Sequence, residues 1–71
     1  MIKFAVIYEK TRSGYSAYVP DLPGCVAGGA TLDETAELIR GAIELHLETM
    51  REDGDSIPAP TTIAGSVAVP V

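Results

Sequence analysis

The sequence lacks tryptophan altogether and has one cysteine, one histidine and four aromatic residues in 71. A single cysteine excludes an internal disulfide and any zinc site built from several cysteines, and it suits a reducing cytoplasm. No apolar run approaches the roughly 20 residues that a membrane-spanning helix needs, and the N-terminus lacks the apolar core of a signal peptide. We therefore expect a cytoplasmic protein without membrane contact.

Basic residues are also scarce. Ten acidic and five basic residues give a formal net charge of −5, and the lysines and arginines are scattered along the chain. Nucleic-acid binding depends on neutralising phosphates with clustered Lys and Arg, so direct binding of DNA or RNA is not expected. A basic protein partner is favoured instead, because opposite charges accelerate encounter.

The length and composition are those of one small globular domain covering residues 1–71. Hydrophobic residues make up 46% of the chain and charged residues 21%, which is outside the range of disordered chains. A domain of this size buries only about 60% of its unfolded surface. Its stability is therefore expected to be low, and association with further copies is a common remedy.

The first half of the chain predicts three strands. Residues 2–9 ("IKFAVIYE") and 15–19 ("YSAYV") alternate in a strand pattern and are separated by the polar turn "KTRSG", which indicates a β-hairpin. The next stretch, "PDLPG", has turn chemistry at nearly every position. It leads into a short third strand, "CVAGG", at residues 25–29.

Residues 31–55 predict a long amphipathic helix. Thr31 and Glu34 have the spacing of a capping box, and Gly54 is a typical C-terminal stop. One face is apolar: Leu32, Ala36, Ile39, Ile43, Leu47 and Met50. Leu38 and Leu45 lie on a flank outside that stripe, so either the apolar face is wide or the helix has a second contact surface.

The end of the chain predicts a fourth strand. After the connector "SIPAPTT", residues Ile63, Val67, Val69 and Val71 alternate with smaller side chains, and Pro70 marks an edge or an end. The order βββαβ indicates an α+β two-layer domain with the helix on one face of an antiparallel-rich sheet. The other face would hold Ala5, Ile7 and Tyr18 and is apolar enough to suggest oligomeric burial.

No residue pattern predicts an active site, a cofactor site or a metal site. A catalytic cysteine needs a lowered pKa and usually a histidine partner, whereas Cys25 is interpreted as a small buried residue and His46 as a helical residue beside the apolar stripe. Glu9, Asp21 and the helix carboxylates could in principle hold two metal ions, as nucleases do. The helix carboxylates are nevertheless spaced for a solvated face, balanced by Arg40 and Arg51.

One long stretch, "GYSAYVPDLPGCVAGGATLDETAELIRGAIELHLETMREDGDSIPAP", resembles the N-terminal domain of the HicB family of antitoxins. The likeness covers nearly the whole chain. It lies in four ordered motifs: Y-x-A-x-x-P-D-L-P-G-C at residues 15–25, G-x-T-x-x-E at 29–34, I-x-x-A-I-E-x-H-L at 39–47 and E-D-G-x-x-I-P-x-P at 52–60.

The resemblance implies a partial RNase H-like βββαβ fold without a working nuclease centre, dimers or tetramers, and binding to a small basic HicA toxin, an mRNA-cleaving ribonuclease. The antitoxin would cover the RNA-binding or catalytic surface of that toxin. Many members of the family continue into a DNA-binding domain. Because this sequence ends at Val71, after the predicted fourth strand, we expect no such domain in this chain.

These inferences together predict a binding module rather than an enzyme. On charge alone, the predicted toxin-contact residues are Asp21, Glu37, Glu44 and Glu48. Two alternatives remain: a metal-dependent nuclease of RNase H type that uses Glu9, Asp21 and helix carboxylates, and an orphan oligomerisation module without a toxin.

Overall fold

The computed structural model describes residues 1–71 as a small antiparallel sheet followed by one long helix. The strands are β1 (Ile7–Lys10), β2 (Tyr15–Tyr18) and β3 (Val26–Gly29), and the helix is α1 (Leu32–Glu52). The strand order in the sheet is β1-β2-β3, with both pairs antiparallel. The central strand is therefore β2, and β1 and β3 are edges.

The first two strands form the predicted hairpin. Its turn is closed by Thr11, whose backbone N–H donates to the carbonyl of Gly14 at 2.8 Å and whose hydroxyl accepts from the Gly14 N–H at 3.1 Å. β1 begins at Ile7, opposite Tyr18, and not at Ile2 as the sequence pattern predicts. Continuing the β1–β2 register beyond Tyr18 sets Pro20 opposite Ala5, and proline has no backbone N–H to donate to that side. The Val19 N–H faces the other neighbour and donates to Cys25. Residues 2–6 therefore have no strand beside them.

The proline-rich stretch between β2 and β3 is a compact double turn, as its sequence predicts. The N–H of Leu22 donates to Val19 at 3.0 Å, and the N–H of Cys25 donates to Leu22 at 3.0 Å. Gly24 has a φ of 84°, which a residue with a side chain rarely adopts. The Leu22 side chain is 1% exposed, so this turn contributes directly to the core.

The helix begins and ends close to the predicted residues. Thr31 is the N-cap, and its hydroxyl accepts a hydrogen bond from the Glu34 N–H at 3.1 Å, which is one half of the predicted capping box. At the other end, Gly54 has a φ of 74°. The N–H of Asp55 donates to Met50 at 2.8 Å, which satisfies a carbonyl of the last turn.

The core lies between the sheet and α1. Its buried apolar residues are Ala17, Val19, Leu22, Cys25 and Ile39, with partly buried residues of the helix and of the N-terminal segment around them. Thr35 is fully buried, and its hydroxyl bonds the carbonyl of Thr31 at 2.8 Å. This buried hydroxyl is satisfied locally, as buried polar groups need to be.

This arrangement confirms the predicted α+β class, with a helix packed on an antiparallel sheet. The fourth strand is the exception, and its prediction is wrong for the single chain. Residues 53–71 form neither helix nor strand, and every residue from 63 to 71 is exposed. Alternating valines indicate only that one face of a segment is apolar. A strand also needs a neighbour for its backbone groups, and this segment has none.

The structure has no helix with both the length and the apolar character that crossing a membrane requires.

Candidate functional site

Three glutamates form an exposed acidic surface along α1. Glu37, Glu44 and Glu48 are exposed, and at 100° per residue they lie within about 40° of one line along α1, opposite the buried Ile39. We refer to these three residues as the outer helix face. They span about 16 Å of the helix at 1.5 Å per residue, which is enough to contact an extended patch on a partner.

The outer helix face is only weakly neutralised within the chain. The Arg40 Nε lies 3.5 Å from Glu44 Oε1, and both side chains are about 70% exposed. An exposed pair of this kind contributes little to stability, about 0 to 1 kcal/mol. Because α1 carries six carboxylates and two arginines, the face remains acidic.

An apolar flank lies beside these glutamates. Leu38 is 47% exposed and Leu45 is 64% exposed, so the sheet does not cover them. Of the two readings that the sequence left open, the wide buried stripe is therefore wrong for these two leucines. Carboxylates next to exposed leucines suit protein binding, because interfaces combine an apolar centre with a charged rim.

Asp21, the fourth predicted contact residue, is engaged inside the chain. Its two carboxylate oxygens accept four hydrogen bonds from residues forty positions away. Oδ2 accepts from the backbone N–H groups of Thr61 and Thr62, each at 3.1 Å. Oδ1 accepts from their hydroxyls at 3.1 and 2.9 Å. These bonds, the Thr62 N–H foremost, lower the pKa of Asp21 below its ordinary value of 3.8.

Sequence reasoning missed this contact. We refer to Asp21 with Thr61 and Thr62 as the Asp21 clamp, and it holds the connector after α1 against the double turn. The only signal in the sequence is a turn aspartate and a Thr-Thr pair in the connector. Nothing in their spacing indicates that they meet, because the separation of forty residues is closed by the fold.

Cys25 is packed, as predicted. It is 4% exposed, and burial raises the pKa of its thiol above the ordinary value of 9.0, which disfavours the nucleophilic thiolate. Cys25 and His46 line the same shallow cavity of about 300 Å³, together with apolar residues such as Leu45 and Met50. Although His46 lines the same cavity, the burial of Cys25 and the raised pKa of its thiol support a small core residue and not a nucleophile.

The carboxylates of the nuclease alternative do not converge. No group of three or more His, Cys, Asp or Glu side chains is placed to hold a metal ion. Glu9 is on the edge strand β1, whereas Asp21 is in the double turn and bonded to Thr61 and Thr62. The geometry therefore gives no support to a two-metal centre built from Glu9, Asp21 and the helix.

Two apolar surfaces are left open by the single chain. The sheet face away from α1 carries Ile7, Tyr18 and Val26, which are paired across the strands; Tyr18 is 41% and Val26 is 64% exposed. A groove of about 450 Å³ lies between the N-terminal segment and α1, and nine of its eleven lining residues are hydrophobic.

The fold and these surfaces define a small acidic α+β domain whose exposed features are suited to contacts with other proteins. Residues 4–70 match the family described as HicB_like antitoxin of bacterial toxin-antitoxin system. The chain belongs to this HicB-like antitoxin family.

Relatives of the chain occur in archaea, bacteria and a phage. A UPF0150 protein of Archaeoglobus fulgidus is 46% identical over 59 residues, which are 79% of this chain and 86% of the relative. An uncharacterized 14.9 kDa protein of Haemophilus phage HP1 is 38% identical over 60 residues, 84% of this chain but 45% of the phage protein. Antitoxin HicB 2 of Photorhabdus laumondii is 28% identical over 61 residues, 86% of this chain and 44% of that antitoxin. The chain thus spans less than half of two of these relatives and most of the third.

Proposed function

We propose that this chain is an antitoxin that acts in the cytoplasm as a binding module, without enzymatic activity of its own. Its partner is a small basic toxin of HicA type, an mRNA-cleaving ribonuclease, and binding covers the RNA-binding or catalytic surface of that toxin. Membership of the HicB-like antitoxin family supports the general role. The observation that carries the specific proposal is the acidic outer helix face beside exposed leucines.

Charge and shape argue for this surface. A ribonuclease binds its substrate with basic residues, because RNA affinity depends on contacts with phosphates. The glutamates of the outer helix face are exposed, with no internal partner except Arg40, so they can replace phosphates on such a toxin. Leu38 and Leu45, which are exposed in the single chain, would add buried apolar area to the complex. Asp21 belongs to the same predicted set, although a toxin group that reaches it would have to compete with Thr61 and Thr62.

Self-association, as dimers or tetramers, is the second part of the proposal. The open apolar surfaces support it, since soluble monomers rarely leave large apolar patches uncovered. The partial RNase H-like relationship of the fold remains a prediction of the family resemblance. The absence of direct nucleic-acid binding remains a prediction from the acidic charge of the chain.

The test is direct binding to a purified small basic toxin of HicA type, measured by titration calorimetry at low and high salt. The perturbing variant is Glu37→Gln with Glu44→Gln and Glu48→Gln, which removes charge but keeps side-chain size and helix propensity. The control changes three exposed carboxylates elsewhere: Glu9→Gln, Asp53→Asn and Asp55→Asn. Both triple variants alter the net charge equally.

Each exposed charge pair contributes about 0.2 to 1 kcal/mol, so we expect the loss of three pairs in the helix variant to weaken toxin binding about 3- to 150-fold at low salt. The loss should shrink at high salt, where exposed charges are screened. Equal weakening by both variants would reject the outer helix face as the site. Failure of the unmodified chain to bind the toxin would reject the antitoxin proposal and leave an orphan oligomerisation module.

A further inference from the structure

The two segments that the sequence predicts as strands, but that the single chain leaves unpaired, are residues 2–6 and residues 63–71. The first segment lines the open groove beside α1. The groove is formed by Met1, Ile2, Phe4, Val6 and Tyr8 on one side and by Ala36, Ile39, Ile43 and Leu47 of the helix on the other, with the charged residues Arg40 and Glu44 also in its lining. It lies at the edge of the sheet, because β1 pairs only with β2.

The second segment, which we call the tail, has the complementary character. Ile63 is 93% exposed, Val67 is 87% exposed and Val69 is 66% exposed. These residues and Val71 occupy alternate positions and would share one face of an extended strand. No hydrogen bond joins residues 63–71 to the rest of the chain.

The Asp21 clamp directs the tail away from the body of its own chain. Thr61 and Thr62 are fixed to Asp21 by four hydrogen bonds, and every residue that follows them is exposed. The radius of gyration is 13.8 Å and the longest dimension is 48 Å, whereas a compact chain of this length has a radius of about 11 Å. The anchored tail therefore projects outward instead of folding back onto its own groove.

From these features we infer that two copies of this chain exchange tails, so that residues 63–71 of each copy add a strand beside β1 of the other and fill its groove. Addition of a strand to an open sheet edge satisfies backbone groups on both segments. A two-fold exchange is self-complementary, because each copy supplies one tail and one groove. This inference gives a mode to the self-association proposed above and does not depend on the toxin.

The buried area agrees with a stable dimer. Each aliphatic side chain of the tail carries roughly 60 to 120 Å² of apolar surface, from its transfer free energy at 25 cal/mol per Å². Four such residues in each tail, together with a similar area of groove wall, bury roughly 1,000 to 2,000 Å² in total. Specific dimers bury about 1,200 to 2,000 Å².

The first test is the mass of the full chain in solution, measured by light scattering during size-exclusion chromatography. We expect the unmodified chain to be a dimer, or a tetramer built from such dimers. The double variant Val67→Asp with Val69→Asp places two charges on the groove-facing side and should weaken dimerisation at least 100-fold. The matched control, Ala64→Asp with Ala68→Asp, places the same charges on the opposite side of the tail and should still dimerise.

The second test identifies which chain receives the tail. In a Cys25→Ala background, Val6→Cys and Val69→Cys are made on separate chains, which are mixed and oxidised. Tail exchange predicts a disulfide between the two kinds of chain, seen as a doubled mass that a reductant removes. When both cysteines are placed on one chain, exchange again predicts linked dimers.

Three results would overturn the inference. An unmodified chain that is monomeric at micromolar concentration would reject both self-association and tail exchange. A dimer that tolerates the Val67 and Val69 changes would reject the tail as the interface but keep self-association, for instance through the open face with Tyr18. An internal disulfide in the monomeric double-cysteine chain would show that the tail folds onto its own groove.

Discussion

Truncation of Ile39 to alanine tests the two-layer packing most directly. Ile39 is 2% exposed and lies at the centre of the core, with Val19, Leu22 and Cys25 in the same buried cluster. Removal of a buried isoleucine side chain to alanine costs about 2 to 5 kcal/mol, as lost transfer free energy and an unfilled cavity. A domain of 71 residues has a free energy of unfolding of roughly 4 to 11 kcal/mol, at 0.05 to 0.15 kcal/mol per residue. Ile39→Ala therefore removes a large part of the free energy of unfolding.

The assay is thermal unfolding of the full chain, followed by circular dichroism at 222 nm. At about 4 to 8 °C for each kcal/mol in a domain of this size, a loss of about 2 to 5 kcal/mol should lower the Tm of Ile39→Ala by roughly 8 to 40 °C. The matched control is Leu45→Ala, which truncates a side chain on the same helix that is 64% exposed. It should change stability by about 0.5 kcal/mol or less. All chains are compared at one concentration, because association with a partner or a second copy makes the Tm depend on concentration.

Two outcomes would refute this reasoning. If Ile39→Ala lowers the free energy of unfolding by less than about 1 kcal/mol, Ile39 is not enclosed by the sheet. Truncation of a buried isoleucine costs more than this even where the surrounding core partly closes the cavity. A loss for Leu45→Ala as large as that for Ile39→Ala would mean that the apolar flank is covered, by the sheet or by another copy. In the second case the flank would no longer be free for a toxin.

Three further predictions follow from individual contacts. The folded-state pKa of Asp21 lies below 3.8, so the Asp21 clamp stabilises the fold at pH values above the unfolded-state pKa, and this stabilisation is lost as the pH falls through the folded-state pKa. The urea midpoint of the wild type should therefore approach that of Asp21→Asn between pH 5 and pH 2. A constant difference between the two midpoints would contradict this prediction. Urea unfolding should separate two glycine substitutions. Gly41→Ala, in an open helix position, should stabilise the fold by about 0.5 to 1 kcal/mol. Gly14→Ala should destabilise the fold strongly, because its Cβ would overlap the Gly29 carbonyl. Buried Cys25 should react slowly with a thiol reagent until urea unfolds the chain, and immediate reaction of the folded protein would contradict its packing.

Much of the fold could be predicted from local sequence. The helix bounds follow from Thr31, the apolar repeat and Gly54, since each acts on backbone groups within a few residues of itself. The hairpin and the double turn follow from glycine and proline, whose backbone preferences are intrinsic. The acidic outer helix face also follows from the sequence, because α-helical geometry alone places Glu37, Glu44 and Glu48 on one line.

The remaining features depend on contacts between distant parts of the chain, and only the tertiary structure decided them. Asp21 became a clamp because the fold brings residues 61 and 62 to it across forty positions. Leu38 and Leu45 stayed exposed because the single sheet packs against only one face of α1, and these two leucines lie away from that face. The alternating valines of the tail fixed an apolar face but not its partner, because strand pairing requires a free edge that local sequence does not specify.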